Sequence, residues 1–184
     1  KAGKIKLIIL PIKRLMHLNS KMNKIMILIT HVEHFIIDSN YYAHGPFVRE
    51  INYLGANFKE IIIFAPKTKN SKKSSDFLKH NNNILKFIEV PQMGGSGFLK
   101  KINVILKSPI VALKLIQLLI FTGNNDTMIH LRPPGNIAFI SLFVLPFFRK
   151  IKKFAKYAGE WDDKNYLNFS YRFQTYLLSK KLFF

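Results

Sequence analysis

Lys24–Thr30, KIMILIT, and Ile61–Ala65, IIIFA, are compact apolar runs on either side of a helix signal, and reading them together decides the fold. Neither alternates polar and apolar residues, as a strand with one wet face would, so both read as parallel strands covered on both faces. Between them Gly45-Pro46 opens a helix with proline at its first position, where the missing N–H removes no hydrogen bond. Phe47, Val48, Ile51 and Leu54 share one face of that helix, and Gly55 is its natural stop. Strand, helix and strand in this order predict a right-handed crossover and a parallel pair.

The same rhythm continues outward. Leu85–Val90 is the third strand, Gly94-Gly95-Ser96-Gly97 is a turn, and helical segments run through Ser108-Pro109 to Phe121. Thr127–Leu131, TMIHL, is the fourth strand; Pro133-Pro134-Gly135-Asn136 then leads into a nearly all-apolar helix, Ile137–Phe148, suited to packing deep against a sheet. Phe154–Tyr157 is the fifth strand, and Ser170 caps a last amphipathic helix with Phe173, Tyr176 and Leu177 on one face. Residues 31–44 read as a polar and aromatic loop, and Lys67–Asn83 as an exposed and mobile connection rich in Lys, Ser and Asn. The pattern predicts an α/β fold: a doubly wound, Rossmann-like parallel sheet of order 3-2-1-4-5, without internal repeats.

Composition bounds the function. The 184 residues are 48% hydrophobic and 14% aromatic, enough for a real core. Zero cysteines exclude disulfide frameworks, thiolate metal sites and a cysteine nucleophile. The formal charge of +19 creates a field that attracts phosphates, nucleic acid or anionic lipid without choosing among them. No stretch reaches the roughly 18 to 20 uninterrupted apolar residues of a spanning helix. Leu7–Ile12 is shorter than the apolar region of a signal peptide, so a cytoplasmic protein is expected, peripheral at most at the inner face of the cell membrane. Residues 1–21 read as an N-terminal extension, with Met22 as the natural beginning and 22–184 as the domain.

A doubly wound sheet binds ligands outside the carboxyl ends of its strands, near the point where the strand order reverses. That geometry selects three segments: Tyr41–Glu50, His130–Asn136 and Lys156–Trp161. In the first, Gly45 permits close approach of a ligand to the backbone, and the helix start after His44 offers N–H groups to an anion. In the second, His130 and Arg132 alternate at the end of strand four; Arg132 can grip a phosphate or carboxylate bidentately, and Asn136 starts the next helix. In the third, Tyr157 and Trp161 supply flat surfaces for a sugar, with Glu160 or Asp162 as hydroxyl acceptors.

The strand order, with HGPFVREIN from His44, HLRPPGN from His130 and AKYAGEWD from Ala155, resembles the amino-terminal domain of a GT-B type glycosyltransferase of the family 4-like group. The likeness covers about Met22 to Phe184. It implies two facing Rossmann-like domains, with the acceptor held mainly by the first and the nucleotide sugar mainly by the second. It also implies retention of anomeric configuration, no obligatory metal and no resident cofactor, the nucleotide sugar being the donor substrate. The donor-side basic residue and paired glutamates of that family are not in this sequence, and strands six and seven of the first domain are missing. The chain as given is therefore expected to be incomplete as a GT-B domain and not to transfer sugar by itself. Carry-over is limited to the acceptor side: His44, Gly45, Arg49, His130, Arg132, Asn136, Tyr157 and Trp161, with no catalytic residue assigned. The implied partners are a nucleotide sugar, a glycan or lipid-linked acceptor of surface polysaccharide synthesis, and an anionic membrane surface reached through Arg149, Lys150, Lys152 and Lys153.

Each of these residues also has a structural reading. His130 lies inside an apolar strand and serves equally as a packed histidine; the commoner role of an arginine placed like Arg49 is a surface pair with Glu50, that of a single tryptophan such as Trp161 is packing, and Tyr157 also reads as the end of a buried strand. His31, His34, Asp38 and His44 crowd one loop without the spacing of a known ligand pattern, so no metal site is expected. The competing function is a basic nucleic-acid- or anion-binding module without catalysis, which the high pI favours and the lack of any recognition motif disfavours, so no nucleic acid is expected as a partner.

Overall fold

The structure, a computed structural model, describes residues 22–68, 76–81, 84–95, 97–123, 126–157 and 169–179. In chain order its elements are β1 (Met22–Ile29), β2 (Phe35–Ile37), β3 (Asn40–His44), α1 (Gly45–Gly55), β4 (Phe58–Pro66), β5 (Phe77–Lys79) and β6 (Ile84–Val90). There follow α2 (Phe98–Thr122), β7 (Thr127–Leu131), α3 (Asn136–Val144) with a tighter 3₁₀ turn at Leu145–Phe147, β8 (Lys152–Ala155) and α4 (Phe169–Ser179). Five strands form one parallel sheet in the order β6-β4-β1-β7-β8. Counted along the chain, that is the expected order 3-2-1-4-5.

The two apolar runs explain this arrangement. Met26 and Leu28 of β1 point to one face with Ile61, Ile63 and Ala65 of β4, where Phe47, Val48 and Ile51 of α1 cover them. Ile27 and Ile29 point to the other face with Ile62, Phe64, Ile129 and Leu131, under α2, α3 and Leu178 of α4. Helices on both faces leave every β1 side chain from Met26 to Ile29 without solvent exposure, which is why the run carries no alternation. α1 ends at Gly55, as its sequence predicts, with the amide of Ala56 donating to the Asn52 carbonyl. α3 tightens into its 3₁₀ turn at Pro146, which has no N–H to continue the helical ladder.

Two regions differ from their sequence reading. Residues 31–44 are not a plain loop: β2 and β3 form an antiparallel hairpin through Asp38 and Ser39, both at positive φ (46° and 62°). That is the conformation of a primed hairpin turn, here made by Asp-Ser in place of the usual glycine pair. The described part of Lys67–Asn83 is not a mobile connection either. Phe77–Lys79 is the strand β5, pairing with β3 to complete a small antiparallel sheet, and His80 after it is buried. Its apolar content was too short to show a period. Smaller shifts occur elsewhere: β8 begins at Lys152 instead of Phe154, and α4 buries Gln174 and Leu178 while Tyr176 of the expected apolar face stays exposed.

The helix α2 separates burial from exposure most sharply, since Leu115 is fully buried and Leu113, two residues away, is 66% exposed. Leu115→Ala is expected to lose about 2–5 kcal/mol of stability in urea unfolding, and Leu113→Ala about 0.5 kcal/mol or less. Equal losses would mean that this helix does not present the face described here.

Candidate functional site

At the carboxyl end of the sheet the strand order reverses between β1 and β7, and the residues beyond those ends form the rim of the crevice. Leu131 points into the helix-covered core, so the pleat turns His130 and Arg132 to the α1 face. Phe154 of β8 sits opposite His130 in register, and Lys156 follows two residues on, its amide donating to the Leu131 carbonyl. α1 runs over the same face and brings Glu50 to the rim.

The three elements meet in one charged cluster. Arg132 Nη1 donates to Glu50 Oε1 at 2.6 Å, and Lys156 Nζ lies 3.0 Å from the same oxygen. The guanidinium also sits over the Phe47 ring, 4.9 Å from its centroid. The Arg132 side chain is only 8% exposed, whereas that of Lys156 is 50% exposed. Burial raises the Glu50 pKa, but the hydrogen bonds and charges of Arg132 and Lys156 outweigh it and hold the carboxyl below its ordinary range. Because both contacts use Oε1, Oε2 is left to accept from a hydroxyl, and Lys156 retains ammonium protons for an acceptor oxygen.

His31, just after β1, belongs to the same rim. It is exposed, and its ring lies along the Gly135 backbone so closely that a Cβ there would come within 3.0 Å of Nδ1. Partial enclosure of the ring and then the charge of Arg132 hold its pKa below the usual imidazole value, against a hydrogen bond to the Arg132 backbone. The turn between them contains the cis peptide Pro133-Pro134.

The sequence candidates divide. Arg132 is at the centre of the cluster. His130 is fully buried beneath it, its ring stacked on Phe154 with centroids 4.3 Å apart and both ring nitrogens without a partner. It is a packed histidine underlying the site. Arg49 is exposed on α1 and is not the partner of Glu50, which turns inward to Arg132 and Lys156 instead. His44 is exposed at the end of β3. Gly45 makes room for the chain itself: its N–H donates to the Asp76 carbonyl at 2.7 Å, and a Cβ would meet that oxygen at 3.0 Å and Leu78 at 3.4 Å. Its N–H is thus not open to a ligand. Asn136 turns toward the loop after β6, its Nδ2 donating to the Met93 carbonyl at 3.4 Å. Tyr157 packs on the opposite, helix-covered face, where burial and then Tyr171 raise its phenol pKa. Trp161, with Glu160 and Asp162, lies outside the described residues.

The pairing of Glu50 with Arg132 and Lys156 has no signal in the sequence, because ion pairs between residues far apart in the chain, 82 positions for Glu50 and Arg132, leave no local pattern. Behind α1, the buried His34 and His80 rings stack at 5.4 Å, each edge-on to Phe47. Burial holds both far below the imidazole range, His34 at about 3 with a contribution from His80, and His80 at about 4. His34 Nδ1 donates to the Val32 carbonyl. Among the described residues no group of three or more potential metal ligands converges.

Comparison of the chain with models of protein families, with curated proteins and with solved structures finds no match.

Two pH effects follow. Glu50 is ionised more readily in the folded than in the unfolded chain, so it stabilises the fold above its unfolded pKa, and that stability is lost as pH falls through its lower folded value. Glu50→Gln is expected to lower unfolding free energy at neutral pH by about 1–3 kcal/mol, because Arg132 is left buried without its counter-charge. The gap to the parent should narrow as pH falls through the folded pKa of Glu50, below its unfolded value, as read by urea titration across pH. His130 behaves differently: burial first, then Arg132, hold its pKa at about 3 against 6.5 unfolded. The unfolded chain therefore takes up the proton first, and stability falls between pH 6.5 and about 3 by up to about 1.4 kcal/mol per unit. His130→Phe should remove that part of the slope without loss of stability at pH 7.5; an unchanged slope would mean that His130 is charged in the fold.

Proposed function

We propose that this chain is the acceptor-side half of a GT-B type glycosyltransferase that moves sugar from a nucleotide sugar to a glycan or lipid-linked acceptor of surface polysaccharide synthesis, at the cytoplasmic side of the cell membrane. The supporting observation is the convergence of Glu50, Arg132 and Lys156, from three separated segments, on the rim where a doubly wound sheet binds its ligands.

The cluster suits a hydroxylated acceptor better than a free anion. Arg132 is already neutralised by Glu50, so the trio carries one net positive charge, and its open groups are Glu50 Oε2 and the exposed face of Lys156. The carboxylate oxygen accepts a hydrogen bond from one sugar hydroxyl, and the ammonium beside it donates one to a neighbouring hydroxyl. His31 lies beside Arg132 with a ring held below the usual imidazole pKa and can take a hydroxyl proton or give one. Arg132 positions Glu50 and holds α1 to β7. No nucleophile is assigned within the chain, and the donor diphosphate would be met by a second domain, as the family resemblance implies.

Thermal unfolding in the presence of oligosaccharides and of polyprenyl-diphosphate sugar analogues tests this reading. A binding acceptor at a hundred times its Kd should stabilise the chain by about 2.7 kcal/mol. Lys156→Ala should weaken that binding about tenfold, or about 1.4 kcal/mol, and leave the unliganded melting temperature unchanged. If no glycan or lipid-linked sugar shifts the transition while oligonucleotides do, with affinity falling steeply in salt, the chain is instead a nucleic-acid-binding module.

A further inference from the structure

α2 is apolar on two opposite faces. Val111, Leu115, Leu118 and Leu119 are buried against the sheet. Turned roughly half a circle away at 100° per residue are Phe98, Ile102, Ile105, Leu106, Leu113 and Ile120, all exposed. An outer stripe of that length on a 25-residue helix far exceeds the scattered apolar residues of an ordinary surface. α2 packs beside α3, the turn at Gly123 meets Ile151, and Phe147 at the end of the 3₁₀ turn that follows α3 is 85% exposed.

By length and composition α2 is also apolar enough to cross a bilayer. Its connections prevent that. It joins β6 to β7, which lie in the same parallel sheet, and its inner face is part of the core beneath that sheet. A helix so held lies flat on the body of the protein, with only its outer stripe available.

The charges on this surface have one sign. From Gly97 to Asn125 and from Asn136 to Tyr157 the sequence contains no Asp or Glu, and it places Lys100, Lys101, Lys107 and Lys114 on α2 and Arg149 and Lys150 at the turn after Phe147. Lys100 and Lys101 are exposed on the first turn of α2, Lys107 and Lys114 reach back to the Gln92 and Glu89 carbonyls, and Arg149 and Lys150 are exposed. We propose that the outer face of α2, with Phe147 and the Arg149-Lys150 turn, seats the protein on an anionic lipid surface, the apolar stripe entering the interface and the cations meeting the headgroups. A second copy is the poorer occupant, since two such faces would oppose their cations with no carboxylate between them. The inference rests on this surface alone and is independent of the glycosyl-transfer reading. It also moves the centre of the membrane contact from the cations Arg149, Lys150, Lys152 and Lys153 to α2.

Flotation of the full chain with vesicles of phosphatidylcholine alone, or mixed with phosphatidylglycerol, tests it. Binding should be about tenfold or more tighter to the anionic vesicles, and Leu106→Ser combined with Leu113→Ser should reduce it about tenfold or more with an unchanged melting temperature. Because the chain has no cysteine, Leu113→Cys carries a single environment-sensitive fluorophore, and Lys79→Cys on the opposite side of the sheet is its control. The label at 113 should shift to the blue and be quenched by spin-labelled lipid; the label at 79 should do neither. Equal flotation on neutral vesicles, retained binding in the serine variant, or a solvent-exposed label at 113 on bound protein would each overturn the proposal. So would a dimer that the serine substitutions dissociate and that ignores vesicles, since a second copy would then cover the stripe.

Discussion

Burial of β1 on both faces is the constraint from which the remaining architecture follows. Met26, Ile27, Leu28 and Ile29 are all fully enclosed and hydrogen-bonded on one side to β4 and on the other to β7. A strand with two apolar faces needs a covering layer on each. α1 supplies one, while α2 and α3 supply the other. Placing those helices on opposite faces also makes the chain wind outward from β1 in two directions, and that reversal opens the crevice at the ends of β1 and β7.

The crevice shows how a fold's requirements and a site's chemistry share residues. Arg132 is a cation held almost out of water, tolerable only because Glu50 pairs with it and the Phe47 ring lies beneath it. The same pair fastens α1 to β7 and leaves Glu50 charged at the rim. Below it, His130 stacks on Phe154 with no hydrogen-bond partner, a neutral polar ring in apolar surroundings. The rim carries charge and its floor is neutral.

The fold was largely legible in the sequence, because unbroken apolar runs such as KIMILIT and IIIFA and the Gly45-Pro46 helix start are local signals with a direct physical cause. Strand order followed from handedness and short connections. The small antiparallel sheet was not legible: its turn uses Asp38-Ser39 without glycine, and β5 has only three residues, so neither a turn signature nor a period was present. Of the site, Arg132 could be read from its place at a strand end. Glu50, Lys156 and His31 could not be assigned roles, since their association is made by tertiary packing across long stretches of chain. Gly45 was read as a ligand approach, whereas β5, invisible in the sequence, takes up that space.

The edge of the sheet at β8 has a bearing on solubility. An outer strand offers unpaired backbone groups to any other chain, and a molecule that already exposes a long apolar stripe can ill tolerate a second adhesive surface. β8 is four residues long and is bracketed by Lys152, Lys153 and Lys156, with Lys153 Nζ turned back onto the Phe148 and Ile151 carbonyls. Brevity and positive charge make that border repel its own kind, so strand-to-strand polymerisation is discouraged at the place where the sheet would otherwise invite it.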